Sequence, residues 1–398
     1  MKILIIHNRY VYPGGEDQVV TAEKRMLEKF GHEVILHEQS NSEIGNLTLP
    51  QKLSFILKDA YWSRHSYQTI SRLIKEEKPD IAHFHNTFFL VTPSAYDACY
   101  DAKIPIVQTL HNYRFLCPIG IFYRQGRICE DCLQKGKISA IINRCWRDSH
   151  LSSLVLTRII KNIERKKVLS EKINHFIALT PFSRQKFIDS GFNGEKITIK
   201  PNFIDFELRP SREEGKYGLF VGALRDYKGI TALVNAWKIL KKDFPLKIIG
   251  NGPLYHELKK QCYGTHIELL GAKPLEETLE LIKKSLFVVV PSECYENFPR
   301  VIIEAFACRV PVVATDHGAL KDLITHGKTG LLFEWGSVND LAAKIHSLIR
   351  TPSLAKELGM NARKQYEEHY TVEKNYEILM DIYNHALSSN RRRHEVNA

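Results

Sequence analysis

The sequence predicts an α/β protein built from two doubly wound parallel-sheet domains, and three observations support this prediction. Short apolar runs that end in polar residues, Gly or Pro alternate with longer helix-like stretches along the whole chain. Most of these runs are almost continuously apolar, as in parallel strands that helices cover on both faces. The length of 398 residues allows two or three domains, and two lobes are the default at about 150 residues each.

Six predicted strands fall in each half of the chain, and a polar, charged, Pro-containing stretch at 203–215 separates the halves. We therefore expect an N-terminal domain at 1–202 and a C-terminal domain at 203–370. Helical apolar spacing predicts a helix at 371–390, followed by a frayed basic tail at 391–398. The predicted strands are 2–7, 33–37, 81–85, 104–111, 176–180 and 197–201 in the first half, and 218–224, 246–250, 267–270, 287–291, 311–315 and 330–333 in the second. Because ligands bind outside the carboxyl ends of parallel strands, the site is expected between the halves.

Composition excludes several classes of protein. A hydrophobic content of 44% with 25% charged residues is ordinary for a folded globular chain and not for a disordered or fibrous one. No apolar run approaches the roughly 18 residues of a membrane span, and the opening run meets His7 too early for a secretion signal. We therefore expect a cytoplasmic protein. The formal charge of +11 favours anionic partners, which include nucleic acid, anionic lipid and phosphorylated small molecules.

The strand at 287–291 leads into a polar segment and then a helical run. Asn297 is a candidate N-cap and Pro299 suits a first turn, so the helix is expected to start directly after Glu296. Its N–H groups and positive dipole end would then form a site for a phosphate or diphosphate. Glu304, about two turns into that helix, could accept hydrogen bonds from sugar hydroxyls. An isolated pair of Glu residues at this spacing would instead be solvated surface charge.

Three further positions carry chemistry, each with a plainer alternative. Gly14 and Gly15 follow the first strand, where backbone N–H groups could approach a ligand, although a plain turn has the same sequence. Lys228 follows a strand and could neutralise a diphosphate, or it could be a surface lysine. His111 ends a strand and points toward the crevice, or it makes a structural hydrogen bond. The first strand is not followed by Gly-x-Gly-x-x-Gly, which argues against a dinucleotide oxidoreductase.

The order of these motifs resembles the retaining family-4 glycosyltransferases of the GT-B fold. The signature of that family is a Glu, seven residues and a second Glu, which Glu296 and Glu304 match. The other segments that resemble the family are Pro13 to Glu16, Gly31 to Val34, Lys200 to Asp205 with Phe203 where Gly is usual, Gly222 to Gly229, Gly250 to Pro253, Ala305 to Ala307, Pro311 to Thr315 and Gly318 to Leu331. The resemblance runs nearly end to end and implies two Rossmann-like domains that face each other across a cleft, with the C-terminal helix crossing back to the N-terminal domain.

The resemblance also implies a reaction and its residues. A sugar would pass from a nucleotide-diphosphate sugar, with UDP favoured, to a saccharide or lipid-linked acceptor in cell-surface polysaccharide or glycolipid biosynthesis. The anomeric configuration would be retained, no catalytic cofactor would be needed, and the departing diphosphate would take the acceptor's proton. The implied catalytic residues are Glu296, Lys228, His111 and Glu304. The implied donor-binding residues are Gly14, Gly15, Asn202, Gly222, Arg225, Gly250, Gly252, Pro253, Asn297, Phe298, Pro299 and Arg300.

One departure from the family pattern keeps other functions open. Ala223 stands where the family usually has Arg, and Arg225 is the candidate replacement. A sugar-nucleotide epimerase or hydrolase of the same architecture, or a catalytically silent binding scaffold, are the alternatives to a transferase.

Four of the eight cysteines concentrate in a predicted insertion at about 112–150. Cys117, Cys129, Cys132 and Cys145 include one close C-x-x-C pair, which is compatible with a tetrahedral structural zinc. The alternative is a reduced, metal-free loop. A zinc ion with four thiolate ligands would have no open coordination position for catalysis.

The stretch at 139–172 is strongly basic, with apolar residues interleaved. Such a segment can dock on an anionic membrane surface, or it can be an ordinary core-facing helix with a solvated basic face. No nucleic acid partner is expected, because no signature of a nucleic-acid-binding fold accompanies the charge.

Overall fold

The computed structural model describes residues 1–11, 14–46, 48–206, 215–240 and 244–395. The strands are β1 Lys2–Arg9, β2 Glu33–Ser40, β3 Ile81–Phe84, β4 Ile106–Thr109, β5 Tyr123–Arg124, β6 Arg127–Ile128, β7 His175–Ala178, β8 Ile197–Ile199, β9 Gly218–Val221, β10 Leu246–Ile249, β11 Ile267–Gly271, β12 Phe287–Val290, β13 Val312–Thr315 and β14 Gly330–Phe333. The α-helices are α1 Gly15–Lys29, α2 Leu49–Ser54, α3 Arg64–Glu77, α4 Ser94–Asp101, α5 Asp131–Gln134, α6 Ile138–Ile142, α7 His150–Arg165, α8 Pro181–Asp189, α9 Ile230–Leu240, α10 Tyr255–Gln261, α11 Leu275–Lys283, α12 Arg300–Ala307, α13 Ala319–Leu323, α14 Val338–Arg350, α15 Pro352–His369 and α16 Val372–Glu395.

The described residues divide into two compact units. The first comprises Met1–Gly120, Glu130–Asp205 and the C-terminal segment from Val372, and the second comprises Ile121–Cys129 and Phe206–Thr371. The division after Asp205 lies three residues beyond the predicted boundary at 202. The segment Ile121–Cys129, which the prediction placed in the N-terminal domain, belongs to the second unit. It contains the antiparallel pair β5 and β6, which the sequence analysis did not predict.

The first unit is built on a six-stranded sheet in the order β2-β1-β3-β4-β7-β8, with every pairing parallel. Strand β1 lies between β2 and β3, so Ile5 faces Leu36 on one side and His83 on the other. The apolar residues at positions 3–6 are buried, as expected for a strand covered on both faces. The carboxyl ends of β3 and β4 bring His85 and His111 to the same edge of this sheet.

The second unit contains a six-stranded parallel sheet in the order β11-β10-β9-β12-β13-β14. Its core includes Trp237 and Phe287, which pack against the start of β9. A side chain at Gly218 would lie 2.5 Å from the Trp237 ring, so the absence of a Cβ there allows the helix to approach the sheet. The carboxyl ends of β9 and β12 lead to Lys228 and Glu296. The predicted α/β class with two parallel sheets is confirmed.

Helix α16 is longer than predicted and includes most of the expected tail. It runs from Val372 to Glu395 because side chains near its end are held by the first unit. Asn390 donates to the Lys103 carbonyl at 2.8 Å, and Arg393 donates to the Lys172 carbonyl at 3.3 Å. Residues 396–398 of the predicted tail lie outside the described residues. Among the described helices, none has both the length and the apolar character that crossing a bilayer requires.

Candidate functional site

A buried ion pair stands at the centre of the first unit. Glu23 on α1 places its Oε2 atom 2.9 Å from Nζ of Lys200, which follows β8, and each side chain is 1% exposed. Lys200 also donates to Asn375 Oδ1 of α16 at 2.9 Å. Burial alone would raise the pKa of Glu23, but Lys200 and His83 outweigh it and hold that pKa well below its usual range. Glu23 is therefore a carboxylate that stabilises the buried ammonium.

A chain of histidines connects this carboxylate to the edge of the sheet. His83 Nδ1 lies 2.9 Å from Glu23 Oε1, and His85 Nε2 lies 3.3 Å from the same oxygen. His85 Nδ1 lies 2.8 Å from His111 Nε2. Burial and the neighbouring His83 lower the pKa of His85 to about 3, and burial and His85 lower the pKa of His111 well below its usual range. Both rings are therefore neutral at pH 7.

The Glu23 carboxylate, 3.3 Å from His85 Nε2, favours the tautomer with the His85 proton on that atom. In that tautomer His85 Nδ1 accepts a hydrogen bond from His111 Nε2–H, which leaves the lone pair on His111 Nδ1. In the opposite tautomer the direction of this hydrogen bond is reversed.

A pocket opens beside His111 within the first unit. Its lining includes Glu16, Asn86, Gln108 and Arg114. Tyr10 donates its hydroxyl to Glu16 Oε2 at 3.1 Å, and burial raises the pKa of Glu16 to about 7. The sequence analysis singled out neither carboxyl group nor guanidinium here, although Arg114 follows His111 by only three positions.

Of the two glycines after β1 whose N–H groups were predicted to approach a ligand, Gly14 already uses its N–H group within the chain. Gly14 is the N-cap of α1, and its N–H donates to Asp17 Oδ2 at 2.7 Å, so this amide is already used. Asp17 in turn lies 2.8 Å from His7 Nε2. Gly15 is exposed at the start of the helix. Asn202 is buried, and its Oδ1 atom has no hydrogen-bond partner in the part of the chain that the structure describes.

In the second unit the predicted pair Lys228 and Glu296 lies in direct contact. Lys228 Nζ is 2.5 Å from Glu296 Oε1, which also accepts from Ser292 Oγ at 2.6 Å. Gly229 makes this approach possible: its φ is +67°, and a Cβ there would lie 1.8 Å from the Pro291 carbonyl oxygen. Burial alone would lower the pKa of Lys228, but Glu296 raises it, so the group stays an ammonium. Burial would raise the pKa of Glu296, but Lys228 lowers it.

The helix after this pair starts later than predicted. Its first residue is Arg300 and its N-cap is Pro299, which is extended at φ −66° and ψ 110°. A residue before proline disfavours the helical region, so Asn297 and Phe298 remain outside the helix. Phe298 packs on Tyr370, with ring centroids 5.9 Å apart.

Glu304 is buried within that helix, beside Arg300. The Arg300 Nε atom lies 3.6 Å from Glu304 Oε1. Burial raises the pKa of Glu304, and Arg300 opposes that shift in part. The predicted sugar-binding carboxylate therefore has a cationic neighbour of its own.

The remaining predicted donor-binding residues form two loops that touch. Gly250 has φ +147°, and a Cβ there would lie 1.8 Å from the Gly222 carbonyl oxygen, so the loops after β9 and β10 approach backbone to backbone. Gly252 packs on the Leu224 carbonyl in the same way. Pro253 and Arg225 are exposed.

Two polar groups near Glu296 were not predicted. His317, after β13, lies with Nε2 2.8 Å from the Ser292 carbonyl oxygen, and it therefore donates to that group. Tyr123 of β5 donates to Glu293 Oε2 at 3.0 Å. The position of His317 at a strand end is the signal that could have identified it.

Of the four cysteines of the predicted zinc site, Cys117, Cys132 and Cys145 belong to the first unit and Cys129 to the second. Among the described residues, the group whose ligand atoms all lie within 4.8 Å of one another is Glu23, His83 and His85, and it includes no cysteine. In that group the Lys200 ammonium already lies against the carboxylate. Cys117 is buried, and Cys132 and Cys145 are half-buried, as is Cys129 in the second unit.

Comparison with known proteins identifies the family to which the chain belongs. Residues 203–365 match the family described as Glycosyl transferases group 1, and residues 13–208 match Glycosyltransferase Family 4. An uncharacterized glycosyltransferase of Methanocaldococcus jannaschii, MJ1178, is 34% identical over 249 residues, which cover 62% of this chain and 69% of that protein. The capsular polysaccharide biosynthesis glycosyltransferase CapM of Staphylococcus aureus is 30% identical over 54% of this chain and 64% of its own length. The amylovoran biosynthesis glycosyltransferase AmsK of Erwinia amylovora is 29% identical over 51% of this chain and 55% of its own. The aligned regions thus span between about half and two thirds of these relatives.

Solved structures show the same fold across nearly the whole chain. HepE of Anabaena in complex with UDP gives a TM-score of 0.67 at 18% identity, covering 96% of this chain and 100% of that one. The same protein with UDP-glucose gives 0.66 at 19% identity. Sucrose-phosphate synthase of Thermosynechococcus elongatus gives 0.71 at 16% identity, covering 98% and 99%. These similarities confirm the predicted GT-B fold.

The buried ion pair leads to a stability prediction. Lys200→Met leaves Glu23 buried without its cation, and we expect a loss of about 3–5 kcal/mol in the free energy of unfolding. The double variant Glu23→Gln with Lys200→Met removes both charges and should recover at least half of that loss. Urea unfolding of the three proteins measures this. Equal stability of the single variant and the wild type would contradict the role given to the pair.

The cysteine cluster gives a metal prediction. If the four thiolates hold structural zinc, the purified protein contains about one equivalent, and changing Cys129 and Cys132 to Ser removes it. Elemental analysis measures the metal, with Cys262→Ser, at a buried position outside the cluster, as the control. A folded, metal-free wild-type preparation would refute the zinc site.

Proposed function

Because the chain belongs to the family-4, group 1 glycosyltransferases, we propose that it moves a sugar from a UDP-sugar to a saccharide or lipid-linked acceptor with retention of configuration. The proposed setting is the biosynthesis of a cell-surface polysaccharide or glycolipid. CapM and AmsK, which act in capsular polysaccharide and amylovoran biosynthesis, support the setting. HepE, solved with UDP and UDP-glucose, supports the choice of nucleotide.

The observation that carries the proposal is the contact between Lys228 and Glu296. Both residues lie beyond the carboxyl ends of neighbouring strands β9 and β12, where open parallel sheets bind ligands. The Lys228 side chain is 26% exposed, so its ammonium can reach a ligand while Glu296 holds it in place. An ammonium fixed in this way stabilises the charge that develops on a departing diphosphate. The backbone N–H groups at the start of α12 provide further positive potential.

In this proposal the protein does not supply a nucleophile. The acceptor hydroxyl attacks the anomeric carbon from the face that the diphosphate leaves, the bond from that carbon to the diphosphate oxygen breaks, and the diphosphate takes the hydroxyl proton. His111, neutral with a lone pair on Nδ1, accepts a hydrogen bond from a sugar hydroxyl instead of acting as the base. Glu304 is proposed to accept from the transferred sugar, with Arg300 as its neighbouring cation. Catalysis then consists of positioning and electrostatic stabilisation.

A catalytically silent sugar-nucleotide-binding scaffold is the second candidate. Ala223 and Arg225 are both exposed in the loop after β9, and the family's usual Arg is missing from the first of these positions. UDP release from a panel of UDP-sugars separates the functions. Release that depends on acceptor indicates transfer, release without acceptor indicates hydrolysis, and binding without release indicates the scaffold.

We also propose that the enzyme docks on an anionic membrane surface. The docking patch is smaller than the basic stretch at 139–172. Within that stretch Ile159, Ile160 and Ile163 are buried, so much of the apolar stripe belongs to the core. Lys166 and Lys172 contact Asp97, at 3.2 and 2.5 Å, and are partly neutralised.

The patch consists of Ile138, Ile142 and Leu151, with two exposed cations nearby in the sequence, Arg147 and Arg144, of which Arg144 lies 3.4 Å from the exposed Asp148. The three apolar side chains are 52%, 66% and 63% exposed. His150 donates to the Ile141 carbonyl at 2.8 Å, which connects the start of α7 to α6. Exposed aliphatic side chains with cations beside them are typical of membrane-docking surfaces.

The active-site pair gives a kinetic prediction. Lys228→Ala and Glu296→Ala should each reduce the rate of transfer on the order of 10²-fold or more, since each removes charge or orientation at the leaving group. Lys247→Ala is the matched control, because Lys247 pairs with Glu268 on the same sheet, at 3.7 Å and partly exposed. UDP release in the presence of acceptor measures the rate, and urea unfolding shows that each variant is folded. Wild-type turnover of either pair variant would remove this assignment.

The membrane patch gives a binding prediction. Wild-type protein should co-sediment with vesicles containing anionic lipid and not with zwitterionic vesicles, and added salt should weaken binding. Changing Arg144 and Arg147 to Glu, or Ile142 and Leu151 to Ser, should weaken binding about tenfold or more, at about 1 kcal/mol per cation. Met360→Ser, which changes an apolar residue 52% exposed in the second unit, is the control. Equal binding to both kinds of vesicle would rule out electrostatic docking.

A further inference from the structure

We propose that the pocket beside His111 binds an anionic group, a carboxylate or a phosphate, on the acceptor, and that Arg114 is its ligand. This inference rests on the proposed function, because it describes the acceptor of that reaction. It assigns a substrate class that the family membership alone does not provide.

Arg114 is a buried cation held in a fixed position. Its side chain lies within 6 Å of three aromatic rings, with the guanidinium carbon 5.1 Å from the Phe88 centroid, 5.6 Å from Trp146 and 5.7 Å from Tyr10. The residue is 7% exposed, and its backbone N–H donates to Asn112 Oδ1 at 2.9 Å. Aromatic packing on several sides restricts the guanidinium to one orientation.

The donors of Arg114 are not satisfied within the described part of the chain. Its Nε and Nη1 atoms are buried and lack hydrogen-bond partners. Charged N–H groups taken out of water without an acceptor are costly, so a fold retains them where a ligand supplies the acceptor. A guanidinium presents parallel N–H groups that match the two oxygens of a carboxylate or a phosphate.

The other polar groups that line the pocket are largely committed. Gln108 Nε2 donates to the carbonyls of His85 and Thr109, and its Oε1 accepts from Tyr96. Asn86 Nδ2 donates to the Asn8 carbonyl at 2.6 Å. Among the described residues, Arg114 Nε and Nη1 and Glu16 Oε1 are buried without a hydrogen-bond partner, and both residues line the pocket, so we assign Arg114 as the donor to an anion and Glu16 as the acceptor from a sugar hydroxyl. An anionic sugar satisfies both groups.

The test compares the full-length wild type with Arg114→Met and with Arg158→Met. Arg158 also stacks on an aromatic ring, 5.7 Å from the Tyr61 centroid, but it is exposed on α7, so it is a matched control. Calorimetry measures the binding of D-glucuronate, inorganic phosphate and neutral methyl glucoside to each protein, and urea unfolding shows that each is folded.

We expect at least one anion to bind wild type and Arg158→Met at least tenfold more tightly than methyl glucoside, and Arg114→Met to lose that preference. Tight binding of glucuronate indicates a uronic acid acceptor, and tight binding of phosphate indicates a phosphorylated one. Equal affinity of Arg114→Met and wild type for the anions, or no anion binding by wild type, would overturn the proposal.

Affinity for UDP is measured on the same three proteins and should not change. This arm keeps the two proposals separate. If none of the three proteins binds UDP, the proposed function is contradicted. If they bind UDP and show acceptor-dependent turnover but the wild type has no preference for anions, only the role of Arg114 is contradicted.

Discussion

The first unit depends on one electrostatic constraint: the Lys200 ammonium lies out of water and needs the Glu23 carboxylate beside it. The pair joins α1 to the residue that follows β8. Helix α16 is joined to them because Asn375 accepts a hydrogen bond from the Lys200 ammonium. His83, which also contacts Glu23, is held from α16 by the Tyr383 hydroxyl at 2.8 Å. The C-terminal helix therefore belongs to this unit for an electrostatic reason as well as an apolar one. The same carboxylate lies 3.3 Å from His85, whose other ring nitrogen is 2.8 Å from His111.

Two of the Lys–Glu pairs, Glu23–Lys200 and Lys228–Glu296, illustrate how burial separates a structural role from a proposed functional one. Glu23 and Lys200 are each 1% exposed, so no ligand can reach them, and the pair acts through the groups around it. Lys228 and Glu296 are 26% and 12% exposed at the end of a sheet, so the ammonium is oriented by its partner and still open to a ligand. Similar ion pairs thus anchor the fold in one place and, in the other, hold a partly exposed ammonium at the carboxyl end of a sheet.

Periodicity was enough to predict both sheets, because continuously apolar runs between helical stretches have few other solutions. The positions of Lys228 and Glu296 after strands of the second sheet also followed from the sequence, but their contact did not. What the sequence could not predict depends on groups far apart in the chain. From the sequence alone, Glu23 has the pattern of a surface residue on an amphipathic helix. Its buried partner Lys200 is 177 positions away in the chain. The predicted start of α12, directly after Glu296 with Asn297 as N-cap, was too early. Pro299 disfavours the helical conformation of the residue before it, so the helix begins at Arg300.

Net charge was the weakest guide to binding, and the structure gives the reason. Several cations of the basic stretch lie against acidic partners: Lys137 pairs with Glu164 at 2.5 Å and Lys167 with Glu171 at 2.6 Å. Such pairs add to the formal count of positive residues while contributing little potential at a distance. Arg114 adds one charge to the same count, but it packs on aromatic rings, and two of its nitrogen atoms have no acceptor among the described residues. Its potential is therefore concentrated in the pocket that it lines. The desolvation and pairing of a cation, more than the total number of cations, determine whether it can select an anion.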